Sequence, residues 1–309
     1  MARYLDPKND LTFKRIFGEN PDLLLAFLNA LMPLAPGCLI EELTYLSPEQ
    51  VPDNPGKKDS IVDVKCRDNN GRVFIVEMQM YWFEAFTNRV VFNAGKAYVR
   101  QLDAGDDYSL LNPVYSLAIL NENFDHKTDR FYHHYSIVNR ENIDEVMEGL
   151  EFVLIELNKF KPETWSERRM AVLWLRFLKE VGEKMFVLPE ELKKNELINK
   201  AAELCEQGAF TPEELDIYEA YWDRVSTEKS VRNEVLRANA KLEAAKTKLE
   251  AAETKLEAAE TKLEAAETKL EAAETKLEAE QAKNEVAEAE KTILLARIAE
   301  YERQNSKQE

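Results

Sequence analysis

The chain is 309 residues long, 45% hydrophobic, and carries a formal net charge of −17 at neutral pH. That length can bury a full core and still carry an extension, while the charge excludes a general polyanion binder: any nucleic-acid contact must be a local, salt-sensitive basic patch on an acidic body. No stretch approaches the ~20 consecutive apolar residues of a membrane span; the opening MARYLDPKNDLTF has no apolar secretory run, and Cys38, Cys66 and Cys205 are odd in number and lack zinc-ligand spacing, which predicts a reducing cytoplasmic setting.

Asp10 is placed to cap a first helix beginning at Leu11-Thr12. Phe13, Ile16 and Phe17, then Leu24, Phe27, Leu28 and Leu31, recur at helical spacing, with a break across Gly18 to Pro21. Leu39 to Leu46 reads as a strand, with a short helix as the alternative. Ser47 to Lys58, which contains Gly56 and several prolines, reads as a loop.

Ser60 to Met80 (SIVDVKCRDNNGRVFIVEMQM) reads as a β-hairpin, two β-branched runs flanking Asp68-Asn69-Asn70-Gly71. A three-residue loop with Gly71 in the left-handed conformation sets Asp68 opposite Arg72 and, counting back, Asp63 opposite Glu77. Side chains alternate along a strand, so Gln79 joins Glu77 on one face. Two carboxylates directly opposite one another destabilise a sheet unless something compensates them. A divalent cation would do so. The alternative is that both acids face solvent on the open side of an antiparallel sheet.

Phe83 to Asp103 follows as a helix, through Phe86, Val90, Ala94, Ala97 and Leu102, and VYSLAILN after Pro113 is the apolar run of a strand buried on both faces. Further strands are expected at Arg130 to Val138 and Glu151 to Leu157, and helices over Thr164 to Leu188 and much of Pro189 to Arg224. The aromatics Tyr81, Trp82, Phe83 and Phe86 read as packing between sheet and helix, with base stacking as the other use. Of the histidines, His126 stands alone, and His133 and His134, adjacent on a strand, point to opposite faces and make a poor metal pair. No phosphate-cradling glycine loop and no serine elbow is present, so no nucleotide cofactor is expected.

From Lys241 the composition changes to six consecutive heptads of the KLEAAET type. Leu242, Leu249, Leu256, Leu263, Leu270 and Leu277 repeat every seven residues, mostly with alanine three places later. Propensity and i,i+4 charge pairs agree on a long helix. Leucine at a and alanine at d give a thin seam for a parallel homodimer, with Lys at g facing Glu at e. The alternative is a solvated single-helix spacer.

The order helix, strand, Asp63 hairpin with Glu77-x-Gln79, helix, strand resembles the PD-(D/E)XK nuclease superfamily. Within it, the chain looks like the Rpn-type recombination-promoting nuclease and putative transposase family. The resemblance rests on DLTFKRIFG (Asp10 to Gly18), LLAFLNALM (Leu24 to Met32), Lys57 to Gln79, Asn88 to Tyr108 and PVYSLAIL (Pro113 to Leu120), and covers roughly the first 225 residues. It implies an α/β restriction-endonuclease-like core with a mixed sheet over residues 1–160 and a helical extension packed on it over 161–230; the heptad helix over 231–309 lies outside the resemblance and rests on the repeats alone.

It also implies a metal-dependent DNA endonuclease of low sequence specificity, linked to recombination or genome defence. Asp63, Glu77 and the backbone carbonyl of Met78 would ligate Mg²⁺ or another divalent cation, with water completing the octahedron. Gln79 stands where the general superfamily pattern has lysine; an amide orients a water but is no general base at neutral pH. Lys57 and Lys58, just before the hairpin, and Arg89, on the following helix, are candidate contacts to DNA phosphate. The rival reading is a catalytically silent interaction protein that keeps the fold and assembles partners through its C-terminal helix.

Overall fold

The first helix opens at Asn9, whose side chain accepts the Leu11 N–H and caps α1 (Asp10–Phe13). The cap therefore lies one residue before the expected Asp10, which instead places its charge in the first turn, where the helix dipole favours it. The chain widens into a π-helical turn over Lys14–Gly18 before α2 (Pro21–Leu31), which starts on a proline whose missing N–H costs nothing there. That turn carries Ile16 and Phe17 fully into the core. The Phe17 carbonyl accepts the Tyr45 hydroxyl at 2.8 Å. The computed structural model describes residues 3–50, 60–165 and 168–305.

The strands are β1 (Leu43–Tyr45), β2 (Glu49–Gln50), β3 (Ser60–Ile61), β4 (Val64–Asp68), β5 (Val73–Gln79), β6 (Val114–Leu120), β7 (Tyr132–Val138) and β8 (Val146–Glu156). The segment expected as one strand from Leu39 to Leu46 keeps only β1. Of the loop expected after it, Glu49–Gln50 form β2, which pairs with β3 in a small antiparallel ladder, and residues 51–58 lie outside the described residues. The main sheet has six strands in the order β1-β4-β5-β6-β8-β7. It is mixed: β5, β6 and β8 run parallel, and β1, β4 and β7 are joined antiparallel. Helix α3 (Phe86–Val99) makes the crossover from β5 to β6 that a parallel pair requires.

Alternation along β5 assigns its two faces. Phe74 and Val76 turn toward a large core built with α1, α2 and the helices α4 (Arg169–Glu180) and α6 (Glu196–Glu203). Val73 and Ile75 turn toward Ala94 and Ala97 of α3. The aromatic centre of the large core is Phe13, Phe17, Phe27 and Trp174, with the Phe17 and Phe27 ring centroids 4.3 Å apart. Each such side chain, fully buried, contributes roughly 1.5–3 kcal/mol of transfer free energy. Helix α4 draws residues after 160 into this same core.

After the short α5 (Glu190–Lys193) and α6, helix α7 runs over Pro212–Asn305. The chain divides into two compact units, Met1–Glu228 and Lys229–Glu309. Within the first, the Tyr218 hydroxyl of α7 accepts the Asp6 N–H at 2.9 Å and bonds Glu183 at 3.0 Å, fastening the start of that helix to the N-terminal segment. Within the second, the heptad leucines from Leu242 to Leu277 are exposed. Among the described residues no helix is long and apolar enough to cross a membrane.

Candidate active site

The hairpin is pinned at its tip. Asp68 Oδ1 accepts the Asn70 and Arg72 N–H groups at 3.0 and 2.8 Å, and Oδ2 accepts Arg72 Nε at 2.6 Å. Gly71 has φ +83°, and a Cβ there would lie 2.7 Å from the Asn112 side chain. Glycine is needed both for the left-handed turn and for the close approach. Asp68 consequently faces Arg72, and the register runs back through Arg67 opposite Val73 to Val64 opposite Val76. The next pair on that count is Asp63 and Glu77.

The regular ladder stops at Val64. Continued, it would give the Met78 N–H to the carbonyl of residue 62; instead the Asp63 carboxylate takes it, Oδ2 accepting at 2.6 Å. On the other side of β5 the Gln79 carbonyl accepts the Asn121 N–H at 2.9 Å. Backbone polar groups alternate sides along a strand, so the Met78 carbonyl turns to the same edge as Asp63. Asp63, Glu77, Met78 and Gln79 all line one cleft of about 320 Å³, along with Asp10 from α1 and Arg89 from α3. Helix α7 adds a further wall through Tyr221, Arg224, Val225 and Glu228.

Glu77 is a buried acid that follows the apolar run Val73 to Val76, and both its oxygens accept hydrogen bonds. Its Oε2 accepts from Arg89 Nη2 at 2.9 Å and its Oε1 from Asn93 Nδ2 at 2.8 Å. The same Arg89 nitrogen bonds Gln79 Oε1 at 2.7 Å, and Gln79 Nε2 donates to the Tyr81 carbonyl at 2.8 Å. Glu77 and Gln79 thus share one face, as the alternation predicts. The arginine lies against the rings of Phe86 and Phe83, 4.9 and 5.5 Å from their centroids.

The two acids have different surroundings. Burial pushes the Asp63 carboxyl up to about 7; the Met78 amide opposes this, and the Glu77 and Asp10 charges add to it. Burial, followed by the charges of Asp10 and Asp63, holds the Tyr221 phenol above its usual range. A divalent ion reverses such a bias, because its own charge favours the ionised acid. Hard oxygen donors from two carboxylates and a carbonyl suit Mg²⁺, which keeps several of its waters. Among the described residues no group of three or more His, Cys, Asp or Glu side chains is placed to hold an ion. The oxygen donors that the chain offers on this cleft are the Asp63 and Glu77 carboxylates and the Met78 carbonyl.

Lys57 and Lys58 lie outside the described residues. Asn93 escaped the sequence reading, although the signal existed: it is a polar residue one turn after Arg89, on the apolar stripe of Phe86, Val90, Ala94 and Ala97. Tyr221 and Arg224 gave no signal, since only the fold brings α7 to the hairpin. His133 and His134 do diverge, His133 bonding the buried Glu156 at 3.0 Å and His134 bonding Glu151 at 2.5 Å. Glu156 also accepts the Phe124 and Asp125 N–H groups and Lys159 Nζ, so this cluster organises the segment between β6 and β7. Trp82 stacks on Phe124 with centroids 4.6 Å apart, and Phe86 is buried; Phe83 stays exposed beneath Arg89.

A mixed sheet, a parallel crossover through α3 and two carboxylates meeting where a hairpin leaves its ladder define a restriction-endonuclease-like α/β protein. No curated protein and no solved structure matches the chain. The profile of the PD-(D/E)XK nuclease family transposases matches residues 7–234, from α1 into α7. The chain belongs to that family.

Proposed function

We propose that the protein is a divalent-cation-dependent endonuclease that hydrolyses DNA phosphodiester bonds with low sequence specificity, in recombination or genome defence within the cytoplasm. The observation that carries this reading is the meeting of Asp63 and Glu77 on one cleft, in a chain of nuclease family. Asp63, Glu77 and the Met78 carbonyl hold the ion. When bound, Mg²⁺ polarises a phosphoryl oxygen and lowers the pKa of a water. Gln79 serves by orientation alone, because its amide cannot take a proton at neutral pH. Lys57, Lys58 and Arg89 serve as contacts to backbone phosphate. The net reaction joins water oxygen to phosphorus, breaks one phosphorus–oxygen ester bond and passes the proton to the leaving oxygen.

The test is nicking of supercoiled plasmid by purified protein in Mg²⁺, beside Asp63→Ala and Glu77→Ala. Cleavage by the wild type with a loss of at least about a hundredfold in each variant supports the assignment. Equal cleavage by all three sinks it. No cleavage in Mg²⁺ or Mn²⁺ favours the silent interaction protein, a reading to which the complete engagement of Glu77 by Arg89 and Asn93 lends support. Under either reading, the exposed leucine stripe of Lys229–Glu309 serves as the seam of a homodimer.

A further inference from the structure

Arg89 occupies an unusual position for a residue expected to meet DNA. One of its nitrogens bonds Glu77 Oε2 and Gln79 Oε1 together, at 2.9 and 2.7 Å, while its Nε is buried without a partner. The guanidinium carbon lies 5.5 and 4.9 Å from the ring centroids of Phe83 and Phe86, and Arg89 lines the cleft with its side chain half-exposed. Asn93 secures the other oxygen of Glu77, and Asn93 Oδ1 is itself buried and unbonded. A monovalent cation therefore already pairs with one of the two carboxylates that a divalent ion would need. The other acid, Asp63, meets no cation within bonding distance among the described residues.

Resting on the metal-site reading above, we propose that Arg89 is a positioning residue that competes with the divalent cation for Glu77. It keeps Glu77 and Gln79 aligned on the cleft wall when no ion is bound, and weakens ion binding by its charge. With an ion bound there, Glu77 Oε2 would leave the guanidinium. Arg89, already aimed into the cleft, is then released toward an anionic oxygen of the substrate phosphate. Affinity for metal is given up in exchange for an ordered apo site, since a lone buried carboxylate without a counter-charge would be costly. Asn93 stays on Oε1 throughout, so the carboxylate does not swing away when Arg89 leaves.

The experiment is direct titration of Mn²⁺ into the full chain without DNA, reading free Mn²⁺ by electron paramagnetic resonance. The proteins are the wild type, Arg89→Met, Arg89→Lys and Asp63→Asn, each checked for fold by circular dichroism. Methionine keeps the apolar stem and removes the charge, so the Mn²⁺ dissociation constant should fall at least about tenfold, the two charges being within a few ångströms. Lysine retains the charge and should bind within about threefold of wild type. Should Arg89→Met fail to fold, Arg89→Gln, which keeps a donor for Glu77, carries the same expectation of tighter binding. An unchanged or weaker Mn²⁺ affinity in the neutral variants, with wild-type binding that Asp63→Asn abolishes, overturns the Arg89 proposal and leaves the metal site standing. Absence of Mn²⁺ binding in every protein overturns both.

Discussion

Replacing Asp63 by asparagine isolates the cost of ionising that acid inside the fold. The asparagine oxygen can still accept the Met78 N–H that Oδ2 now accepts at 2.6 Å, so the local geometry survives. The folded carboxyl ionises at about 7 against an ordinary 3.8, burial being the main cause. In the unfolded chain the same acid loses its proton near 4, so between about 4 and about 7 the folded state binds the extra proton. Stability from this group therefore falls as pH rises through that window and stays low above it. At ~1.4 kcal/mol per pH unit, the raised pKa costs the wild type on the order of 4 kcal/mol at pH 8 and about 1 kcal/mol at pH 4.5.

Asp63→Asn should recover most of this at pH 8 and little at pH 4.5. Urea unfolding followed by tryptophan fluorescence measures it, since all four tryptophans lie before residue 229 and report on the first unit alone. Saturating Mg²⁺ should close the gap at pH 8 from the wild-type side, by about 2.7 kcal/mol at a hundred times its dissociation constant. A variant no more stable than wild type at pH 8, or a gap of equal size at both pH values, refutes the reasoning.

Phe17→Ala removes a fully buried ring from the cluster with Phe13, Phe27 and Trp174 and should cost about 3–5 kcal/mol, read as a lower urea midpoint with unchanged slope. Gly71→Ala forces a Cβ onto the Asn112 side chain at a left-handed residue and should destabilise the first unit by more than about 1 kcal/mol; it should also loosen the Asp63–Glu77 register, seen as weaker Mn²⁺ binding. Deleting Lys241 to Glu309 should convert a dimer to a monomer in sedimentation equilibrium; an unchanged mass places the contact in the first unit.

The hairpin was legible because its information is local. Asp68, Gly71 and the two-residue alternation on each side specify the turn, and the turn alone sets which residues of two strands face each other. The periodic faces of α2 and α3 and the heptads after Lys241 were legible for the same reason. Boundaries were not: Leu39 to Leu46 has strand composition throughout, yet only Leu43–Tyr45 finds a partner edge on β4. Asn9 and Asp10 are both competent caps, and the choice between them depends on where the chain enters, with Asn9 Nδ2 also bonding the Tyr218 carbonyl of α7 at 3.2 Å.

Counting along one hairpin put Glu77 and Gln79 on one face; Asp63, beyond the last paired residue, reaches their cleft with its carboxylate on the Met78 N–H. Tertiary structure decided what surrounds those groups. The crossover after β5 lays α3 across its acidic face, so Arg89 and Asn93 meet Glu77 from twelve and sixteen residues away. Helix α7 brings Tyr221 and Arg224 to the same cleft from more than 140 residues away. A carboxylate's ionisation and its counter-ion depend on burial and on neighbours distant in the chain, quantities that no local pattern encodes.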